Sequence, residues 1–179
     1  MTVPVRARYR EATPDDVDAV RDVARTTWER DYPDVVNREA VTDTVESWYG
    51  HDQLAADVRR GDALVLVAET DDANAESDAD VTGVRIRGFV HGVVDGDCGT
   101  ILRAYVHPDA RDDGLGRGLV DAALDAFRDR GCDRAEAMVL ARNAPGNAFY
   151  DALGFEHVAT DTTLVGGDGY DEHVYLTYI

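Results

Sequence analysis

The sequence predicts an α/β fold: a single mixed sheet with flanking helices, built as one domain over residues 1–179. Three observations carry that expectation. Apolar periodicity alternates between two residues and about 3.6, giving the order β-α-α-(α)-β-β-β-α-β-α-β-β. Neither an internal repeat nor a linker breaks the order. At its centre, Thr100–Gly131 reads as strand, glycine-rich loop and helix in direct succession.

Val3–Glu11 alternates as the first strand. Thr13-Pro14-Asp15-Asp16 starts a helix, with Thr13 as N-cap, proline at the first helical position and acids in the first turn. Val17, Val20, Val23, Ala24 and Trp28 fall on its buried face. A second helix runs from about Arg38 to Trp48, with Val41, Val45 and Trp48 on one face. A third, His51–Arg60, stops at Gly61. Ala63–Ala68 (A-L-V-L-V-A) is a buried strand, and Asp71–Asp80 is a polar, acidic hairpin connection with no core residue. Gly83–Val94 is one long strand, which Asp95-Gly96-Asp97 turns into Cys98–Val106. There Ile101, Leu102, Ala104, Tyr105 and Val106 alternate large and small, until Pro108 ends the strand for want of a backbone N–H. Leu119, Val120, Ala123, Leu124 and Phe127 recur at helical spacing up to Gly131. Asp133–Leu140 is a strand and Asn143–Leu153 a helix closed by Gly154-Phe155. Phe155–Thr160 and His173–Ile179 are the last strands.

Charge narrows the function classes. The chain carries 36 acidic and 18 basic residues, a net −18, and every basic residue is arginine. A nucleic-acid backbone would be repelled by such a surface. Disorder does not fit either, because 44% of the residues are hydrophobic and periodic. A lysine-free acidic surface points to work in concentrated salt, where the Debye length falls to about 3 Å at 1 M and self-repulsion is screened. An acidic protein from a GC-rich genome would show the same lysine depletion. No apolar run approaches a membrane span, and the N-terminus shows no signal-peptide core. Cys98 and Cys132 form no C-x-x-C pair, and the five histidines keep no ligand spacing. The expectation is a cytoplasmic, metal-free protein with reduced thiols and no nucleic-acid or membrane partner.

The central stretch builds an anion site. Gly114, Gly116 and Gly118 remove side chains that would hold a ligand away, and loop N–H groups converge with the positive end of a helix dipole. The natural ligand is a phosphate. A G-x-G-x-x-G frame starting at Gly116 fails, since Asp121 stands where its last glycine belongs. A P-loop would need a lysine, and the chain has none. What fits is R-x-x-G-x-G, Arg111–Gly116, preceded by Y-V-H-P. This resembles the acetyl-CoA pyrophosphate loop of the GCN5-related N-acetyltransferases. A second segment, Asn143–Phe155 (N-A-P-G-N-A-F-Y-D-A-L-G-F), is similar to that family's N-x-x-A-x-x-[LF]-Y-x-x-x-G-F helix, with Gly146 where alanine is usual. The resemblance runs from about Val5 to Ile179.

The resemblance implies acetyl-CoA as cosubstrate and transfer to a primary amine, of a small molecule or a protein N-terminus, by direct attack in a ternary complex. It implies that the amides of Asp112, Asp113, Gly114, Leu115, Gly116, Arg117 and Gly118 hold the pyrophosphate, with Arg111 and Arg117 as local positive charges. The backbone of Ala104, Tyr105 and Val106 would pair with pantetheine as a further strand, Val106 N–H polarising the thioester carbonyl. Asn143 would bond the pantetheine arm, and Tyr150, two helical turns further on, would protonate the leaving thiolate. Both also read as a helix N-cap and a core aromatic. Many relatives carry a glutamate where Thr100 stands, so the base is left to His91, His107 or Asp97, each equally a solvated or hairpin-capping residue. The Trp28–Tyr32, Trp48–Tyr49 and Gly166–Tyr170 regions would form the acceptor pocket, or serve as core and rim. A non-catalytic acyl-CoA-binding module is the alternative function. A homodimer is compatible with the sequence, which does not read out oligomeric state.

Overall fold

A computed structural model of the chain describes residues 7–32, 38–60, 63–71 and 84–179. Residues 3–6 of the first expected strand, the helix stop at Gly61 and the acidic stretch 72–80 lie outside the described residues. The elements are β1 (Ala7–Glu11), α1 (Val17–Asp31), α2 (Arg38–Tyr49), α3 (His51–Arg59), β2 (Ala63–Asp71), β3 (Val84–Asp95), β4 (Cys98–Val106), α4 (Leu115–Asp129), β5 (Arg134–Leu140), α5 (Ala144–Ala152), β6 (Glu156–Val165) and β7 (Asp168–Tyr178). They form one seven-stranded sheet in the order β1-β2-β3-β4-β5-β7-β6. β4 and β5 run parallel and every other pair is antiparallel. A parallel pair needs a crossover, and α4 supplies it.

β2 shows why its run reads as continuously apolar. Leu64, Leu66 and Ala68 enter the core beneath α4 and α5, while Val65 and Val67 enter the core beneath α1 and α3. A strand buried on both faces loses the polar–apolar alternation. α4 is held mainly by burial: Leu115, Leu119, Val120, Ala123 and Phe127 are all at most 2% exposed. Each large side chain so buried contributes roughly 1.5–3 kcal/mol. The exposed Arg128–Asp125 and Arg117–Asp121 pairs of the same helix add at most about 1 kcal/mol each. Phe127 lies so close over the sheet that a Cβ on Gly99 would sit 2.2 Å from its ring, which is why a glycine stands near the start of β4.

The structure refines one local expectation and corrects two. Thr13 is the N-cap, with Pro14 at the first position and Asp15 and Asp16 in the first turn, but that turn is not yet α-helical. Pro14–Asp16 is a 3₁₀ turn, in which the Asp16 carboxylate accepts from Thr13 N–H (2.7 Å) and from Arg10 Nη1 (2.6 Å), and α1 starts at Val17. The final hairpin is longer than its pattern suggested, because β6 and β7 meet at a Gly166-Gly167 turn rather than across a Gly166–Tyr170 loop. β4 does not alternate evenly: His91 of β3 faces Arg103 and Gly92 faces Ile101, leaving Leu102 as a bulge. One extra residue reverses the faces of everything after it. Ile101 joins the α4 core, whereas Arg103 and Tyr105 turn to the α1–α2 side, and Ala104 and Val106 pack toward α4.

Candidate active site

β4 and β5 pair only from Cys98↔Arg134 to Ile101↔Ala137, although β4 runs on to Val106 and β5 to Leu140. The wedge between them opens into a cavity of about 450 Å³. Its walls come from both faces of the sheet, Phe149 and Tyr150 of α5 on one side, and Trp28, Tyr32 and Trp48 on the other. His107 N–H donates to the Arg87 carbonyl (2.7 Å), so Phe89–Tyr105 is the next pair to exchange hydrogen bonds. Ala104 and Val106 therefore turn their N–H and C=O groups to the open edge. Arg111 Nε donates to the Val106 carbonyl from that side (3.3 Å).

At the mouth of the wedge the chain turns through Asp112 (φ 68°) and Gly114 (φ 79°) into α4. No side chain caps the helix at Gly114. Gly118 N–H makes a helical rung to the Gly114 carbonyl (3.0 Å), so the amides of Leu115, Gly116 and Arg117 precede it with no intrahelical acceptor. Gly116 lines the cavity, and a Cβ there would lie 3.4 Å from Phe149 and 3.6 Å from Val106. The positive end of the helix dipole faces the same space.

Deeper in, Tyr150 lines the cavity from a ring cluster with Phe149, Phe155 and Tyr175, at centroid distances of 5.1, 5.2 and 5.9 Å. Burial holds its phenol well above the ordinary value, so it stays protonated at neutral pH. Asn143 caps α5: its side-chain carbonyl accepts from Gly146 N–H (3.0 Å) and its amide donates to Tyr32 Oη (3.0 Å). A Cβ on Gly146 would fall 2.5 Å from the Asn143 amide nitrogen and 3.1 Å from Val139 Cγ1, so any larger residue there would have to displace the cap.

The far end of the cavity holds a charge pair that spans the wedge. Arg103 of β4 reaches Glu172 of β7, Nη1 to Oε1 3.4 Å, and its guanidinium lies 3.9 Å from the Trp48 ring centroid. Burial raises the Glu172 carboxyl above its ordinary range, opposed by Arg103. The aromatic wall is fixed by Trp28 stacked on Tyr32 at 4.2 Å and by Trp28 Nε1 donating to Tyr105 Oη (3.1 Å).

Comparison with known proteins identifies this architecture. The acetyltransferase (GNAT) family model matches residues 20–155. The chain belongs to the GNAT family. Among curated relatives, the mycothiol acetyltransferase of Beutenbergia cavernae is 46% identical over 67 residues, 37% of this chain and 23% of that protein. The mycothiol acetyltransferase of Clavibacter sepedonicus is 36% identical over 104 residues, 57% of this chain and 34% of that protein. The chain thus spans between about a quarter and a third of the length of these relatives. Among solved structures, the PaiA N-acetyltransferase of Thermoplasma acidophilum in complex with coenzyme A superposes with a TM-score of 0.76 at 22% identity, over 94% of this chain and 98% of that one. The ribosomal-protein-S18-alanine N-acetyltransferase of Escherichia coli does so with 0.66 at 18% identity, over 97% and 94%. The GNAT fold is thereby shown. The cavity fits the family's cosubstrate, acetyl-CoA: an open strand edge suits an amide-bearing arm, and an uncapped helix start suits a diphosphate.

Within this GNAT chain the expected site residues divide. Ala104, Tyr105, Val106, Arg111, Asp112, Gly114, Leu115, Gly116, Arg117, Asn143 and Tyr150 all line the cavity. Gly118 and Asp113 do not: the Gly118 amide is engaged within α4, and its Cα faces the Tyr9 hydroxyl, 2.0 Å from where a Cβ would stand. Nor does Arg111 stand as a free positive charge, because it forks onto Asp31, Nη1 to Oδ1 3.0 Å and Nη2 to Oδ2 2.5 Å. Asn143 uses its side-chain carbonyl on Gly146 N–H and one amide N–H on Tyr32, which makes it the cap of α5 as well as a residue of the cavity wall. The three base candidates lie elsewhere. His91 faces Asp57 at 3.6 Å, His107 Nδ1 accepts from Asp109 N–H (3.2 Å), and Asp97 pairs with Arg134 (3.0 Å). Tyr49 is fully buried outside the cavity wall, and the Gly166 turn packs on Ala40. Arg103 and Glu172 were missed. An arginine inside an otherwise apolar strand was the available signal for the first. Among the described residues no group of three or more His, Cys, Asp or Glu could hold a metal, and no helix is long and apolar enough to cross a membrane.

Proposed function

We propose that the chain is an acetyl-CoA-dependent N-acetyltransferase that moves an acetyl group to the primary amine of a small molecule, by direct attack in a ternary complex. The observation that carries this is one cavity lined from both faces of the sheet, by the α4 start and Tyr150 on one face and by Trp28, Tyr32 and Trp48 on the other. Two substrates can then approach from opposite faces and meet at the wedge, with no covalent enzyme intermediate required. Acetyl-CoA supplies the activated acyl group as a thioester.

The residues act as follows. The amides of Leu115, Gly116 and Arg117 bind the diphosphate, and the open edge at Ala104 and Val106 aligns the pantetheine arm. The Val106 N–H stabilises the oxyanion in this reading, as the neutral amine attacks the carbonyl carbon. The nitrogen loses a proton, the C–S bond breaks with its electrons on sulfur, and the Tyr150 hydroxyl hydrogen-bonds or protonates the departing thiolate. The net change turns an ammonium and a thioester into an amide, a thiol and one released proton. Incubation with acetyl-CoA and an amine library, read by mass spectrometry, should give products heavier by one acetyl group together with free CoA thiol. Tight acetyl-CoA binding with no product from any amine would favour the acyl-CoA-binding module instead.

We read residues 1–179 as one domain of a protein adapted to high salt. The net charge of −18 with no lysine supports this reading. Near-surface carboxylates in such excess repel one another until salt screens them. Thermal melts followed by circular dichroism should shift upward as salt rises from 0.1 to several molar (roughly a Debye length falling from 10 to 3 Å or less). A melting temperature that is flat or falling across the series would refute salt adaptation and leave the fold untouched.

A further inference from the structure

The Arg103–Glu172 pair has no evident task in holding the fold. Buried ion pairs contribute little net stability, because desolvation offsets most of the attraction. This one is also loose, at 3.4 Å, and both partners line the cavity. Among the described residues Arg103 makes its hydrogen bonds through Nη1 alone, to the Leu102 carbonyl and to Glu172. Nε and Nη2 keep their donors, and the Trp48 face fixes the plane of the guanidinium. Trp28, Tyr32 and Tyr105 wall the same space, so a ligand there exchanges water for aromatic surface. A cationic and an anionic side chain placed side by side match a ligand that carries both charges on neighbouring atoms.

We propose that the acceptor is a small zwitterion of the amino-acid class, whose carboxylate is received by Arg103 and whose ammonium is received by Glu172. The inference rests on the N-acetyltransferase reading and deepens it. An arginine fork suits a carboxylate better than a lysine does, since two parallel N–H groups can meet two oxygens. Glu172 takes one proton from the ammonium, which becomes the neutral nucleophile, and returns that proton to solvent after the acetyl group has moved. Arg103 is a specificity-determining residue, because it holds the acceptor away from the reacting atoms. A protein N-terminus lacks the adjacent carboxylate and would leave those donors unmatched.

The experiment compares kcat/KM for an α-amino acid, its amide, the corresponding decarboxylated amine and a dipeptide, with acetyl-CoA saturating. The amino acid should be preferred over its amide and over the decarboxylated amine by about 10²-fold, the worth of a hydrogen bond to a charged group. Arg103→Gln alone strands Glu172, so the decisive variant is the double replacement Arg103→Gln with Glu172→Gln, which removes both charges; because it also removes the proton acceptor, its preference is read as the ratio of calorimetric binding constants in the presence of CoA. If Arg103 only neutralised Glu172, that double variant would keep the carboxylate preference. The proposal expects the ratio to fall to near one, with partial recovery in Arg103→Lys. A parent enzyme that does not distinguish the amino acid from its amide, or prefers the dipeptide, overturns the proposal while N-acetyl transfer stands. Calorimetric titration of the same compounds in the presence of CoA separates the remaining cases. Carboxylate-dependent binding without transfer supports the acceptor site and refutes the activity, and no binding with no transfer refutes both.

Discussion

Gly116→Val is expected to abolish acetyl-CoA binding in a chain that still folds. Acetyl-CoA should bind the parent in the micromolar range, about −8 kcal/mol. At a hundred times Kd that stabilises the fold by about 2.7 kcal/mol, a rise in melting temperature on the order of 5–10 °C for a chain of this size. A Cβ at position 116 already meets Phe149 at 3.4 Å, and the two γ carbons of valine must point into the space the diphosphate needs. The fold survives because position 116 is in the first turn of α4 and carries no core side chain, while Leu115, Leu119 and Val120 still bury theirs. Differential scanning fluorimetry with and without acetyl-CoA measures both quantities on one sample. Should Gly116→Val retain the parent's thermal shift, the α4 start is not the diphosphate site.

Tyr150→Phe carries the second large effect, a fall in turnover of about 10²–10⁴ with acetyl-CoA affinity almost unchanged. Removing one oxygen leaves the ring contacts to Phe149, Phe155 and Tyr175 in place, so stability should change little. Burial keeps the phenol above its ordinary value, and it does not itself titrate in the working range. Any pH dependence of the loss therefore belongs to the leaving group. It should shrink as pH approaches the thiol's own pKa, about 8.5 for a cysteine-like thiol, where the thiolate departs without help. A loss of activity matched by an equal loss of stability would assign Tyr150 to the core instead.

The helices and the glycine loop were legible because their signals are local. Leu119, Val120, Ala123 and Phe127 repeat at helical spacing, and a glycine run before them needs no tertiary context to be read. The β4 bulge was not legible, because I-L-R-A-Y-V fits unbroken alternation as well as it fits a shifted one, and only pairing with β3 decides at Leu102. On that one residue depends which face Arg103 takes, so the charged end of the cavity was hidden with it. Glu172 was obscured differently: in a chain with 36 acidic residues, one more carboxylate between Asp171 and His173 offers no contrast. β6 escaped in part because its outer residues are nearly all exposed at the sheet edge, and an edge strand without an apolar face has no period to show.

The short contact between β4 and β5 also sets how the molecule should yield under stress. Four residue pairs and the α4 crossover join a half-sheet of β1–β4 to a half-sheet of β5–β7. Each half has its own dense ladders and the seam between them has few rungs, so the seam is where opening motions concentrate. In the proposed complex a pantetheine arm laid along the free edge of β4 would bridge the two halves as a missing strand would. It would stiffen the seam far more than the rest of the sheet, making the cosubstrate a removable structural member as well as a reactant.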